Sequence, residues 1–144
     1  MGYPHFSQDC EEHHGLVRDF GGERPQIVCL CGSTRFKDEI NAANARLTLE
    51  GNLVISLGVF GHVDMPDVDW TTGGTDCKRL LDDLHKRKID LADEVYVINV
   101  GGYVGESTRG EIAYAVKIGR PVRFLDPVPA DWEDEYQEGA SAHA

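Results

Sequence analysis

The stretch ADEVYVINVGGYVGESTRGEIAYAVKIGRP, residues 92–121, shows the clearest structural pattern in the chain. Glu94–Val100 is a nearly continuous apolar run with β-branched residues, which is typical of a strand buried on both faces of a parallel sheet. Glycines at 101, 102 and 105 interrupt the chain. A helix is then predicted to end at Gly119, before Pro121. The apolar side of this helix is predicted to contain Ile112, Ala113, Ala115 and Val116. The stretch therefore predicts strand, glycine loop and helix, a junction at which α/β proteins bind ligands.

The rest of the chain repeats the alternation of strand and helix. Strands are predicted at Gln26–Cys31, Leu53–Leu57 and Val122–Leu125, and helices at Phe36–Glu50 and Cys77–Leu91. The spacing in the second of these helices predicts an inward side formed by Leu80, Leu81, Leu84, Lys88 and Leu91. Such alternation predicts right-handed crossovers and helices on both faces of a parallel sheet. The predicted fold class is α/β, a small flavodoxin-like or Rossmann-like three-layer sandwich with a mainly parallel sheet of four or five strands.

Length and pattern predict one domain in 144 residues. Residues 1–25 form an irregular N-terminal arm, 26–126 a single α/β domain that carries the site, and 127–144 a C-terminal tail. Trp132 and Tyr136 in the tail are candidates for contact with a second subunit.

Charge restricts the class of partner. Fourteen basic and 25 acidic residues give a formal net charge of −11, which argues against a nucleic-acid polymer. A small anion can still bind through local groups. The chain has no apolar run of membrane-spanning length, and its acidic N-terminus does not resemble a signal peptide. We therefore expect a soluble, cytoplasmic protein with no membrane partner.

The cysteines do not predict a metal site. Cys29 and Cys31 alternate along one apolar strand and share a face, which favours buried free thiols over a metal or redox pair. The N-terminal group His5, Cys10, His13 and His14 matches no zinc pattern. We predict no metal and no cofactor.

The first candidate site follows the first strand, at Gly32, Ser33, Thr34 and Arg35. A strand that ends in Gly-Ser-Thr at a helix start directs backbone N–H groups and hydroxyls to one point, and Arg35 adds charged donors suited to phosphate. Alternatively, Ser33 or Thr34 is only an N-cap and Arg35 only a solvated residue. The turn has neither the Walker pattern nor Gly-x-Gly-x-x-Gly, so a dinucleotide or triphosphate is not indicated.

The second candidate site is the glycine loop before the last predicted helix. Gly105, Ser107 and Thr108 make a loop that tolerates an anion. Glu111 is expected in the first turn of the helix, where the helix dipole helps to keep it ionised. Alternatively, Thr108 and Glu111 form a capping box, with Glu111 bonded back to the cap. Glu106, expected outside the helix, competes as the functional acid.

Together, Cys-Gly-Ser-Thr-Arg after the first strand and Gly-Glu-Ser-Thr-Arg-Gly-Glu-Ile-Ala-Tyr-Ala after a later one resemble the nucleoside 2-deoxyribosyltransferase family. That family includes 2′-deoxynucleoside 5′-phosphate N-hydrolases, and the resemblance covers about residues 27–121. It implies that Gly32, Ser33 and Arg35 hold a 5′-phosphate and that Glu111 is the nucleophile. It also implies a homodimer in which the neighbouring subunit completes the site.

Two further parts of the site are less defined. The family usually has an Asp one helix before the central strand, and here either His85 or Asp90 takes that role, or neither does. In the segment 58–74, Phe60, His62 or Trp70 is a candidate to stack a base, and Asp64 or Asp67 to hydrogen-bond it. For Phe60, the favoured alternative is a buried anchor.

The predicted function is cleavage of the N-glycosidic bond of a nucleoside or nucleoside 5′-monophosphate through a Glu nucleophile. Hydrolase is favoured over transferase because Arg35 offers a partner for phosphate. The alternative enzyme class is a lysine-decarboxylase-like phosphoribohydrolase, which also begins with Cys-Gly-Ser but carries a Pro-Gly-Gly loop absent here. The non-enzymatic alternative is a nucleotide-binding module in which Glu111 is only a cap.

Overall fold

The computed structural model describes residues 24–67 and 76–128. Its strands are β1 (Ile27–Gly32), β2 (Leu53–Ile55), β3 (Glu94–Ile98) and β4 (Val122–Phe124). Its α-helices are α1 (Lys37–Leu49), α2 (Gly61–Asp64), α3 (Asp76–Leu91) and α4 (Glu106–Lys117), with 3-10 turns at Thr34–Phe36 and Val100–Gly102. The predictions for His5, Cys10, His13, His14, Trp70, Trp132 and Tyr136 lie outside the described residues.

The strands form one parallel sheet in the order β2-β1-β3-β4. The central pair is in register from Val28 opposite Glu94 to Gly32 opposite Ile98. The α/β prediction is confirmed: helices flank a parallel sheet in a flavodoxin-like or Rossmann-like three-layer sandwich. The described residues contain four strands, the smaller of the two predicted numbers.

Two hydrophobic clusters fill the spaces between the layers. One face of the sheet packs on α1 through Ile40, Ala43 and Leu47. The other face carries the buried thiols Cys29 and Cys31 and packs on α3 and α4. Because successive strand residues point to opposite faces, the alternation predicted for the two cysteines is confirmed.

The predicted inward side of α3 is only partly correct: Leu81 and Lys88 are half-buried, but the other three leucines are not. Leu80, Leu84 and Leu91 are 70%, 54% and 69% exposed, whereas His85 and Ile89 are buried. Ile89 packs against the sheet, and a residue four positions earlier lies on the same side of a helix. His85 therefore faces the core, and the exposed leucines form a stripe on the outer side.

The predicted start of α4 is also wrong. The helix begins at Glu106 after Gly105, so Glu111 lies in the second turn and Thr108 is not the cap. The capping-box alternative is therefore excluded. The residues that α4 buries are Thr108, Glu111, Ile112 and Ala115. This side excludes Ala113, which is exposed, contrary to the prediction.

The strand order creates a switch point between β1 and β3. After β1 the chain crosses to β2 on one side, whereas β3 pairs with the other side of β1. In open α/β sheets the crevice beyond the carboxyl ends of such strands is where ligands bind. Both predicted site segments, after β1 and after β3, begin at this crevice.

None of the described helices is long and apolar enough to cross a bilayer.

Candidate active site

A cavity of about 380 Å³ lies at the switch point, within the size range of small-molecule sites. Its walls are the turn after β1, the segment around α2, one side of α3 and the start of α4. The site residues predicted from sequence that line it are Gly32, Ser33, Thr34, Arg35, His62, His85, Gly105, Ser107, Thr108 and Glu111. The structure therefore brings most of the predicted site together.

The turn after β1 is held by its own side chains. The Ser33 hydroxyl accepts hydrogen bonds from the backbone N–H of Arg35 at 3.3 Å and from its guanidinium Nε at 3.1 Å. The guanidinium also stands 4.6 Å from the centre of the Tyr103 ring, within cation–π range. Ser33 is thus an N-cap, and it also orients an arginine at the rim of the cavity.

The segment around α2 contributes His62 and not Phe60. The Thr34 hydroxyl contacts Nδ1 of His62 and accepts a hydrogen bond from its backbone N–H at 3.2 Å. Burial, followed by the charge of Arg35, lowers the pKa of His62, so the neutral ring is favoured. Phe60 is 7% exposed, belongs to the cluster beneath α1 and does not line the cavity. Its predicted role in stacking a base is wrong, because the cluster already covers the ring.

Glu111 lies on the cavity floor and is 7% exposed. Burial raises the pKa of its carboxyl to about 7, although the nearby His85 and Cys31 act in the opposite direction. The sequence predicted a carboxylate kept ionised by a helix N-terminus. The second-turn position weakens that effect, because the field of the helix falls off within the first turn.

His85 lies below the cavity among thiols. Its Nε2 is 3.4 Å from the sulfur of Cys31, 3.7 Å from that of Cys29 and 3.0 Å from the carbonyl oxygen of Leu30. Burial lowers the pKa of His85. The hydrogen bond with Cys29 and the charge of Glu111 raise this pKa by more, so the net shift is upward. A positive ring at this place favours the ionised form of Glu111.

Asp90 is not part of the site. Its carboxylate accepts a hydrogen bond from the Tyr114 hydroxyl and pairs with Arg87 at 3.0 Å, away from the residues that line the cavity. The prediction of a catalytic role for Asp90 is therefore wrong. Asp90 lies five residues after His85, so the two cannot share one helix face.

Lys78, Asp82 and Lys88 line the cavity and were not among the predicted site residues. The Lys78 ammonium donates to the Asp82 carboxylate at 2.9 Å and to the Ser107 hydroxyl at 2.8 Å, which joins α3 to α4. Their spacing along α3, at i, i+4 and i+10 with His85 at i+7, places them on one side. This spacing could have identified the polar side of α3 from sequence, but the spacing of the leucines indicated that a different side of the helix faces inward.

The start of α4 supplies several polar groups to the cavity wall. Gly105 is the N-cap, and the Ser107 hydroxyl accepts a hydrogen bond from Lys78. Thr108 is buried on the same side of the helix as Glu111, three residues before it. Glu106 is exposed and is the first residue of the helix, contrary to the expectation that it lies outside it. Thus two acids of α4, one exposed and one buried, face one cavity.

The charges around the cavity differ from those of the whole chain. Arg35, Lys78 and Lys88 line it together with Asp82, Glu106 and Glu111, so cations and acids are balanced there. The chain as a whole carries −11.

Comparison with known proteins gives no relative for this chain: no family model, no curated protein and no solved structure matches it.

Proposed function

We propose that the protein cleaves the N-glycosidic bond of a nucleoside 5′-monophosphate or a nucleoside, with Glu111 as the group that attacks C1′ of the sugar. The observation that carries this proposal is a single cavity that has a buried carboxylate on its floor and the Ser33–Arg35 turn at its wall. Glycoside cleavage needs a carboxylate against the anomeric carbon, and a 5′-phosphate needs a fork of donors a sugar's length away.

The assigned chemistry is that of a retaining glycosidase. The bond from C1′ to the base nitrogen breaks, its electron pair leaves with the base, and a carboxylate oxygen of Glu111 bonds to C1′. Water then attacks C1′ and breaks its bond to Glu111, which restores the carboxylate; the departed base takes one proton from solvent and the attacking water returns one, so the reaction is a hydrolysis. A second base in place of water gives a deoxyribosyltransferase. Hydrolysis is favoured because Arg35 suits a phosphate that a free nucleoside lacks.

His85 and the ion pair of Lys78 with Asp82 are given supporting roles beside Glu111. We do not assign proton transfer to His85, because its Nε2 is already engaged by two thiols and the Leu30 carbonyl. Its charge instead helps Glu111 to ionise. We assign Lys78 and Asp82 to contacts with the sugar or the departing base, a role for which His85 and Asp90 were the candidates from sequence.

The surroundings of the site fit a homodimer, which is part of this proposal. The exposed stripe Leu80, Leu84 and Leu91 runs along α3, and Leu84 also lines the cavity. A second copy packed on this stripe would bury apolar surface and close the cavity against water.

The protein is proposed to act in the cytoplasm on a small-molecule nucleotide.

The test is incubation of the purified protein with a panel of ribo- and deoxyribonucleoside 5′-monophosphates and the matching nucleosides, with free base measured by chromatography. The proposal expects base from at least one member, and faster release from a 5′-monophosphate than from its nucleoside. A panel that yields no base, with members that raise the melting temperature, would instead identify a nucleotide-binding module. Release of base from ribonucleoside 5′-monophosphates only, with none from the deoxyribonucleotides or the nucleosides, would favour the phosphoribohydrolase class.

A further inference from the structure

Beneath the cavity floor, two thiols and an imidazole converge in the core. The sulfur atoms of Cys29 and Cys31 and Nε2 of His85 lie within 4.8 Å of one another. Both cysteines are completely buried, free thiols, and His85 is 7% exposed. The proposed cleavage gives none of the three a bond to make or a proton to transfer. We propose that Cys29, Cys31 and His85 form a binding site for a zinc ion.

The distances fit tetrahedral coordination. With Zn–S bonds of about 2.3 Å and Zn–N bonds of about 2.0 Å, a sulfur and a nitrogen on one tetrahedral zinc lie about 3.5 Å apart. The observed separations of Nε2 of His85 from the two sulfurs are 3.4 and 3.7 Å. Both nitrogen-to-sulfur separations therefore already match those that zinc requires, and the two sulfur atoms lie within 4.8 Å of each other.

The ligand types select a soft, divalent ion. Thiolate and imidazole prefer zinc and related thiophilic metals over Mg²⁺ and Ca²⁺, which take oxygen ligands. Two thiolates also balance the double charge of the ion, so the filled site adds no net charge to the core. Cys29 and Cys31 each lose one proton on binding, and two protons are released to solvent.

A disulfide is the less suitable use of the two thiols. Residues i and i+2 of a strand are separated by about 6.6 Å between Cα atoms, close to the longest separation that disulfides tolerate. A metal ion bridges this spacing with no change of the backbone.

Two features of the site depend on the groups around it. Nε2 of His85 lies 3.0 Å from the Leu30 carbonyl oxygen, to which it donates a hydrogen bond in the metal-free form. Zinc binds an unprotonated nitrogen, so the ring proton must move to Nδ1 when the metal binds Nε2. Three protein ligands leave a fourth position. His85 and Glu111 line the same cavity, so the fourth position is open to the Glu111 carboxylate or to a water from the cavity.

This position of Glu111 makes zinc an inhibitor of the proposed cleavage. A carboxylate that binds the metal or its water is withdrawn from C1′ of the sugar. This consequence rests on the proposed function, whereas the metal site itself does not.

The test uses Co²⁺ as a spectroscopic substitute for zinc, added to the reduced full-length protein. We expect one equivalent to bind, with a thiolate-to-cobalt charge-transfer band and the intense visible bands of tetrahedral cobalt, and one equivalent of Zn²⁺ to abolish both. The double variant Cys29→Ala/Cys31→Ala should bind at least about a hundredfold more weakly, since the loss of outer-shell partners alone costs ten- to a hundredfold. His85→Gln is expected to weaken binding in the same direction.

The matched control is Cys10→Ala/Cys77→Ala, which removes the two other cysteines and should keep the spectrum; Cys77 is exposed on α3. Bands that vanish in this control, or that survive in Cys29→Ala/Cys31→Ala, would overturn the proposal. X-ray absorption of the zinc-loaded parent needs no variant: two sulfur and two nitrogen or oxygen neighbours support the site, and an all-oxygen shell refutes it.

The metal test and the test of function fail separately. If the parent releases no base but gives the tetrahedral thiolate spectrum, the cleavage proposal fails and the metal site stands. If the parent releases base and cobalt gives only an octahedral spectrum, the reverse holds. If both hold, added Zn²⁺ should suppress base release by the parent and spare any release by Cys29→Ala/Cys31→Ala.

Discussion

Glu111 is a buried acid, and its environment gives its role a pH signature. Burial raises the pKa of its carboxyl to about 7, and an attacking carboxylate must be ionised. We expect kcat/KM to rise about tenfold per pH unit below 7 and to level off above it. The measurement is a pH profile on a nucleoside, because a nucleoside has no phosphate that titrates in this range. A profile that falls as pH rises through 7 would instead make Glu111 a general acid.

The same buried carboxyl should cost stability at neutral pH. Its pKa in the fold, about 7, exceeds the ordinary value of 4.5, so the folded state binds more protons between these pH values. The free energy of unfolding therefore falls as pH rises through this window. Glu111→Gln is neutral throughout and should be more stable than the parent at pH 8, by at most about 3 kcal/mol.

Thermal unfolding of both proteins at pH 8 and pH 4 measures this difference. At pH 4 the carboxyl is protonated in the folded and unfolded chains, so the gap should close. Glu106→Gln is the control, since it removes an exposed acid of the same helix. A parent more stable than Glu111→Gln at pH 8 would contradict the conclusion that burial outweighs the groups that favour the ionised form of Glu111.

Sequence reasoning selected Glu111 and misjudged its surroundings. The residue was recognised because it follows a glycine loop and a strand. The boundary was misread because Thr-x-x-Glu imitates a capping box, whereas the helix starts three residues earlier, after Gly105. Burial of Glu111 depends on how α4 packs against Cys31 and His85, which are distant in sequence. A local pattern carries no information about such packing.

At the scale of single elements, the turn after β1 should govern recognition of phosphate. Arg35 is held at the cavity rim by Ser33 and Tyr103. Arg35→Gln should raise KM for 5′-monophosphates about ten- to a hundredfold, the value of a charge-assisted pair, and leave the nucleosides nearly unchanged. Arg87→Gln is the matched control, because Arg87 pairs with Asp90 outside the cavity. Equal losses on nucleotide and nucleoside would argue that Arg35 only supports the fold.

The pairing of β1 with β3 requires glycine at position 32. A Cβ at Gly32 would lie 2.9 Å from the backbone oxygen of Ile98, its neighbour in the sheet. Gly32→Ala should therefore destabilise the fold by about 1–3 kcal/mol. In contrast, Gly110 has open space around it inside α4, so Gly110→Ala should stabilise by about 0.5–1 kcal/mol. Denaturant unfolding of both variants checks the two opposite signs; a tolerated Gly32→Ala would contradict the close approach of the strands.

The helix α3 shows where element-level prediction fails. Its existence and bounds followed from periodicity, yet three of the four leucines that defined the expected inner face are exposed. The side that faces inward carries Lys88 as expected, but it also carries the polar groups Lys78, Asp82 and His85, together with Ile89. Hydrophobic patterning assumes that a helix buries its most apolar side. A helix that lines a polar cavity violates this assumption.

For the whole molecule, the architecture was predictable because alternating strands and helices have few arrangements. A parallel sheet leaves a crevice at the switch point, and both predicted site segments begin at this crevice. The sheet thus brings the Ser33–Arg35 turn and Glu111 to one cavity although they are far apart in sequence. The particular α3 side chains that complete the cavity depend on helix rotation, which the alternation does not specify.

The central claim is that Glu111 attacks the sugar in this cavity. Its most direct test is the rate of base release from the best substrate by the parent, Glu111→Gln and Glu106→Gln. Both substitutions remove one acid of the same helix that faces the same cavity. The account predicts a loss of about a thousandfold or more in Glu111→Gln and turnover in Glu106→Gln. Equal rates in the parent and Glu111→Gln, or a loss confined to Glu106→Gln, would contradict it.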